Sequence, residues 1–436
     1  MSVVIDFNNS YSRITGLTAS QYGELRKILS YKTNPQSAYF AGGFSKTRYL
    51  IDNKGNFPTG LYSRVCKYLF SSNIDFVCHE STPNITGVNH KPNFKGINLH
   101  KWQIKAADAF SLKNRGTISA CTGSGKSLLM ALIITRLNVR TLVVVPTLEL
   151  KKQLTESLLE RFNDMSNIVV ENIDSNKLKT FKNFDLLVID EAHHVAAKTY
   201  HKLNKTAWND IYYRLCLTAT AFRNNEEETL LFEAIAGNVI YKLSYIEAIR
   251  EGYIVPVEAY YIEMPKTTNN YYTWAEVYNN LIVNNKKRNE VIYSLLSNFS
   301  EAGLSTLCLV KEIKHGENLL KIGTGWFSNG QEEESKIGIK AFSEGRLKAL
   351  IATTGVAGEG VDTRACEYVI IAGLGKAKSA FMQQVGRCVR KYKGKVSGKV
   401  ILILDRSHKF TLRHFNEQRK ILKEEFGVEL VKLEVL

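Results

Sequence analysis

Seven short apolar runs recur from the middle of the chain onward: TLVVVP (141–146), LLVID (186–190), RLCLTAT (214–220), STLCLV (305–310), KALIAT (348–353), YVIIAG (368–373) and VILILD (400–405). Helical segments separate them. Runs that are apolar at successive rather than alternate positions predict strands covered on both faces, and so parallel sheets. Seven is too many for one compact lobe. Two parallel-sheet α/β lobes are expected, at 96–264 and 265–436, with the polar helical stretch 265–303 dividing them or packing between them.

Residues 1–95 follow another pattern, that of a small α+β unit. VVIDF predicts a strand. Thr18 to Gln21 has the spacing of a capping box, with Leu17 and Tyr22 placed as its hydrophobic staple. Leu25, Ile28 and Leu29 continue one apolar face; Leu61, Val65, Tyr68 and Leu69 mark a second helix. RYLIDNKGNFP carries a strand and a turn, and DFVCHE a closing strand. Pro83 and Pro92 flank a Gly/Asn-rich stretch read as a linker.

Charge changes the picture. With 58 Lys+Arg against 42 Asp+Glu, the net charge is +16, which suits a polyanionic partner. No run approaches the ~18 apolar residues that span a bilayer. The N-terminus MSVVIDFNNS lacks the basic start and apolar core of a signal peptide. A cytoplasmic protein without membrane work is therefore expected. The seven cysteines are scattered without a C-x-x-C pair, as for reduced, mostly buried thiols.

ACTGSGKS (120–127) nearly fits the phosphate-cradling pattern G-x-x-x-x-G-K-[ST], with Ala120 at the first Gly position. Gly123 and Gly125 let backbone N–H groups approach phosphate oxygens, and Thr122 and Ser124 complete the wrap. Lys126 would reach the β- and γ-phosphates of ATP, and Ser127 would hold Mg²⁺. The relaxed pattern arises by chance in roughly a few per cent of chains this long. LLVIDEAHH places Asp190 and Glu191 at the C-terminal end of a buried strand, where α/β sites lie. Asp190 suits Mg²⁺, and Glu191 suits a general base for the attacking water.

DEAH and LTAT (217–220) resemble the second and third motifs of superfamily 2 helicases, and further motifs follow in order. LHKWQIKAADAF places Gln103 as in the adenine-reading Q element. VVVPTLELKKQL resembles motif Ia, LIATTGVAGEGVD (350–362) motif V and QQVGRCVR (383–390) motif VI. The resemblance covers about residues 97–410. It implies two RecA-like lobes and roles for further residues. Gly360, Asp362 and Gln383 fall on the nucleotide side. Arg387 and Arg390 stabilise charge on the transferred phosphate when the lobes close. Thr147, Glu149, Thr353 and Thr354 contact the nucleic-acid strand. Ala120 and the pair Cys388-Val389 depart from the commoner motif residues without removing a catalytic side chain.

Within that superfamily, EAIREGYIVP (247–256), a short second lobe and a compact N-terminal unit look most like phage UvsW-type and RecG-like DNA motors. That likeness implies fork regression, branch migration and duplex unwinding in phage replication, recombination and repair. It further implies forked or branched DNA as partner, single-strand-binding or recombination proteins alongside, a monomer on DNA and a host bacterial cytoplasm. An RNA helicase of the DEAH type and a binding module with a decayed ATPase stay open as alternatives. The stretch 376–399, with eight Lys/Arg and no acid, is either a phosphate track or solvated surface. Since every motor motif lies beyond residue 97, a chain lacking 1–95 is expected to fold alone.

Overall fold

The structure is a computed structural model describing residues 2–32, 47–80, 85, 87–220, 226–323, 325–329, 333–358, 363–373, 375 and 377–433. Its strands run in chain order. β1 is Val3–Phe7, β2 Tyr11–Thr15, β3 Ser30–Lys32, β4 Thr47–Tyr49, β5 Asn56–Pro58 and β6 Phe76–Glu80. A four-stranded sheet, β5-β2-β1-β6, is antiparallel except for the β1/β6 pair, and β3 and β4 form a separate ribbon. The capping box forms: Gln21 N–H donates to Thr18 Oγ1 (3.3 Å) and Thr18 N–H to Gln21 Oε1 (2.9 Å). Leu25 and Leu29 are buried by the helix it opens, Ala19–Ile28. Ile28, expected on the same face, is 37% exposed, because it sits about 60° off the stripe that positions 25 and 29 share.

The core of this N-terminal sheet is completed by the lobe that follows. Leu230 and Ala234, from helix Glu226–Ala236, are buried in one cluster with Ile5, Leu25, Phe57, Leu61 and Val65. Arg64 pairs with Glu233 across the same seam, and Arg115 donates to the Asn9 carbonyl. Arg214, only 1% exposed, donates from Nη2 to Ser10 Oγ (2.6 Å) and to the Trp208 carbonyl (2.6 Å). A buried guanidinium is tolerable only with such partners. Residues 1–120 and 126–242 accordingly form one compact unit. A chain lacking residues 1–95 would expose Leu230 and leave Arg214 without Ser10. Of the proposed linker, Pro83 lies outside the described residues. Its later part docks on the same unit, with Val88 N–H donating to the Asn138 carbonyl (2.7 Å) and Pro92 bridged to Phe162.

The rest of this unit is built on β7 (Arg115–Ala120), β8 (Thr141–Val145), β9 (Ile168–Asn172), β10 (Leu186–Ile189), β11 (Tyr213–Thr218) and β12 (Val239–Leu243). Their order is β12-β7-β11-β10-β8-β9, and the pairs from β7 through β9 are parallel. Every residue of β8 and β10 is buried, as expected for a sheet covered on both faces. The C-terminal ends of β7, β11 and β10 lie side by side and carry the phosphate-loop, LTAT and DEAH segments.

The second unit comprises Leu243–Leu436 together with Cys121–Gly125. Its strands are β13 (Val257–Glu263), β14 (Thr306–Val310), β15 (Phe327–Ser328), β16 (Ala349–Thr353), β17 (Tyr368–Ile371), β18 (Gly398–Leu404) and β19 (Leu430–Lys432). They form an all-parallel sheet, β15-β16-β14-β17-β18-β13-β19. Within 265–303, helix Lys286–Glu301 packs on this sheet: Ile292, Leu295 and Leu296, at helical spacing, join its core. The two parallel-sheet lobes and the small α+β unit are those expected from the sequence. Among the described residues, no helix is long and apolar enough to cross a membrane.

Candidate nucleotide and strand sites

β7 ends at buried Ala120, and helix Lys126–Leu137 begins six residues later. Between them Gly123 (φ +82°) and Gly125 (φ +96°) take left-handed backbone that side chains rarely adopt. Ser124 Oγ donates to the Cys121 carbonyl (2.8 Å), closing the loop, and Lys126 Nζ donates to the Ala120 carbonyl (3.2 Å). The substitution of Ala for Gly at 120 is thus a packing change; the backbone carbonyl does the polar work.

Two strands away, Asp190 N–H continues the sheet by donating to the Val144 carbonyl (3.0 Å). Asp190 Oδ1 accepts from Glu191 N–H (2.9 Å). Glu191 itself sits at φ +45°, ψ +47°, a left-handed conformation costing a non-glycine residue on the order of 1 kcal/mol. His193 Nδ1 lies 3.3 Å from the Glu191 carboxylate. On the strand between, Thr218 Oγ1 accepts from Thr220 N–H (3.1 Å) and donates to the Thr220 carbonyl (3.0 Å), a turn that holds the end of β11.

The Ser127 hydroxyl and Asp190 carboxylate are hard oxygen donors on one sheet edge, the type Mg²⁺ takes. The positive-φ glycines leave the close backbone approach that phosphates need. These residues therefore fit ATP and Mg²⁺. Gln103 is fully buried at the third position of helix Lys101–Lys113, its Oε1 accepting from His100 N–H (2.8 Å). Thr147 caps helix Leu148–Leu159 by accepting from Leu150 N–H (3.2 Å); Glu149 is exposed in its first turn.

In the second unit, Thr354, Gln383 and Arg387 line one cavity of about 190 Å³. Thr353 is buried at the end of β16. Arg387 is 5% exposed, and its carbonyl accepts from Thr363 Oγ1 (3.0 Å). Thr122 N–H donates to Tyr245 Oη (3.3 Å), which in turn donates to the Met382 carbonyl (3.3 Å). A side chain at Gly386 would meet Thr122 at 2.8 Å, and one at Gly123 would meet Arg390 Cγ at 2.9 Å. Tyr245 was missed from sequence, since no local spacing marks a residue 123 positions from its partner. Gly360 and Asp362 lie outside the described residues. The basic stretch 376–399 is not a continuous track: Lys378 pairs with Glu425 (2.5 Å), and Lys395 donates to the Cys366 carbonyl. Cys388 and Val389 are both fully buried, so these motif VI departures serve packing.

Comparison with known proteins agrees with this architecture. Residues 96–182 and 171–223 match the family described as the type III restriction enzyme res subunit, and residues 281–392 match the helicase conserved C-terminal domain. The ATP-dependent DNA helicase uvsW of Enterobacteria phage T4 is 20% identical over 462 residues, covering 93% of this chain and 91% of that protein. The DNA 3'-5' translocase XPB2 of Sulfurisphaera tokodaii is 23% identical over 356 residues, covering 68% of this chain and 79% of that one. The fold is shared with S. cerevisiae Dbp5 bound to RNA and ADP BeF3, at a TM-score of 0.57 and 17% identity, covering 78% of this chain and 91% of that one. With the res-subunit and helicase C-terminal matches together spanning more than half its length, and its motifs carried on two parallel-sheet lobes, the chain belongs to the superfamily 2 helicases, nucleic-acid-dependent ATPases.

Proposed function

We propose that this chain is an ATP-driven DNA motor that remodels forked or branched DNA. The observation that carries the motor reading is the alignment of the phosphate loop, Thr218 and Asp190-Glu191 on neighbouring parallel strand ends. DNA as the polymer is supported by the +16 charge and by the DNA helicase and translocase among its relatives. Branched substrates are favoured by the N-terminal sheet. Welded to the first motor lobe, it supplies a second rigid surface, and two linked contacts grip a junction better than one.

In this reading Thr122 through Gly125 wrap the phosphates, Lys126 contacts them, and Ser127 and Asp190 hold Mg²⁺. The metal would supply charge neutralisation on the phosphates. Glu191 accepts the proton of the attacking water, with His193 fixing its carboxylate. Arg387 and Arg390 stabilise charge on the transferred phosphate, with Gln383 beside them, and Gln103 acts on the adenine side. Thr147, Glu149, Thr353 and Thr354 face the strand. The test is ATP turnover with no polymer, linear duplex, forked DNA and RNA of matched length. Greatest stimulation by forks is expected. Preference for RNA would replace the DNA assignment, and no turnover with any polymer would overturn the motor.

A further inference from the structure

A second cavity opens beside Thr354, and nothing in the nucleotide chemistry uses it. It encloses about 420 Å³, within the roughly 300–1,000 Å³ typical of small-ligand pockets. Its floor is made where three neighbouring strands end: Lys311 follows β14, Thr354 follows β16 and Gly373 follows β17. The crevice beyond the carboxyl ends of parallel strands is where α/β folds bind ligands. Its walls are aromatic. Trp274 and Phe410 are both half-buried and stand at 90° to each other with centroids 6.2 Å apart. Trp274 also packs on His414, at 4.3 Å.

The rim is cationic. Lys311 and Arg413 are exposed at the mouth, Arg413 sits 5.8 Å over the Phe410 ring, and Lys409 sits 5.6 Å over the same ring. No carboxylate lines the cavity among the described residues. A flat apolar guest with negative charge on either side fits this combination. Apolar walls alone would suit many guests, but the surrounding cations favour one whose neighbours are anionic. A base flipped out of a single strand has a π-face to stack and flanking phosphates for the rim. Gln384, on the wall, can donate to or accept from a base edge.

Resting on the motor reading above, we infer that this cavity receives one unstacked nucleobase of the bound single strand, stacked against Trp274 and Phe410 with its flanking phosphates on Lys311 and Arg413. The stacking and cationic side chains lie outside the helicase motifs, in the segment before helix Lys286–Glu301, after β14 and on helix Lys409–Ile421, while Thr354 and Gln384 bring motifs V and VI to its wall.

The test compares binding of an oligothymidylate with that of an abasic phosphodiester strand of equal length. Wild-type protein should prefer the oligothymidylate. Trp274→Leu and Phe410→Leu keep apolar bulk but remove the stacking face. Each should weaken oligothymidylate binding by on the order of 10-fold while leaving abasic binding unchanged. Arg413→Gln should weaken both strands. Intrinsic fluorescence gives a second readout, because Trp102 and Trp208 are buried while Trp326 is 41% exposed. Quenching by oligothymidylate should survive in Trp326→Phe and vanish in Trp274→Leu. If both Leu variants melt like wild type and bind oligothymidylate as tightly, the pocket has another occupant and the inference is overturned. It is equally overturned if the wild type binds both strands equally while polymer still stimulates its ATPase, which leaves the motor reading intact. If no strand binds and no polymer stimulates turnover, both fall together.

Discussion

Gly60→Ala tests the seam between the N-terminal sheet and the first motor lobe. The turn Thr59–Leu61 presses on the last turn of helix Glu226–Ala236. An added Cβ would overlap the Glu233 carbonyl oxygen and stand 2.6 Å from that of Ala234. Both obstacles are backbone, so no rotamer change relieves them, and the turn must retreat from the helix. Retreat loosens Leu61, Leu230 and Ala234, each 1% exposed or less. Overpacking a tight core costs about 1–3 kcal/mol, and backbone against backbone puts this case near 3. Gly23→Ala is the control, since it lies within helix Ala19–Ile28 with nothing near its added Cβ. It should stabilise by about 0.5–1 kcal/mol. Urea unfolding of the full chain measures both, and limited proteolysis reports whether residues 1–80 loosen in Gly60→Ala. The variant should also lose fork preference before it loses ATPase activity. A Gly60→Ala midpoint equal to wild type, with residues 1–80 still protected, would refute the shared core.

Lys126→Ala should abolish ATP hydrolysis, measured by phosphate release, while the chain stays folded; the lost bond to Ala120 is worth about 3 kcal/mol at most. Glu191→Gln should bind a fluorescent ATP analogue normally but turn ATP over slowly, because an amide cannot take the proton. Loss of nucleotide binding would instead make Glu191 structural. Arg387→Ala and Arg390→Ala should each cut turnover by on the order of 10³-fold with little change in ATP affinity, and rates within about threefold of wild type would contradict their role. His315 is fully buried; burial first, then the nearby Arg288 charge, pushes its pKa down to about 3. Unfolded chains take up that proton near pH 6.5, so the folded state loses stability as pH falls from there toward 3, by about 2 kcal/mol at pH 5. His315→Gln should flatten that acid limb in urea titrations.

The strands most legible in the sequence are those whose successive residues are all buried, such as β8, β10 and β14. β13 escaped because VEAYYIE mixes buried and half-buried positions; its place is set by pairing along its whole length with β18 and with β19 beyond. The phosphate loop and Asp190-Glu191 were legible because their chemistry demands particular residues at short spacing. Tyr245 and Arg214 were not. Each works through a partner far away in sequence, and Arg214 reads locally as an ordinary charge at the start of a strand. The basic stretch 376–399 stayed undecided in the sequence for a related reason: composition counts lysines without showing which ones are held by Glu425 or by a carbonyl.

The bond from Arg214 to Ser10 joins positions 204 residues apart. At a synthesis rate of roughly 5–20 residues per second, Ser10 leaves the ribosome on the order of 10–40 s before its partner exists. Over that interval Leu61 and its neighbours lack the helix that covers them, so the earliest-made part of the chain is the part that waits. The nascent chain thus carries an open apolar face until its first lobe is nearly complete.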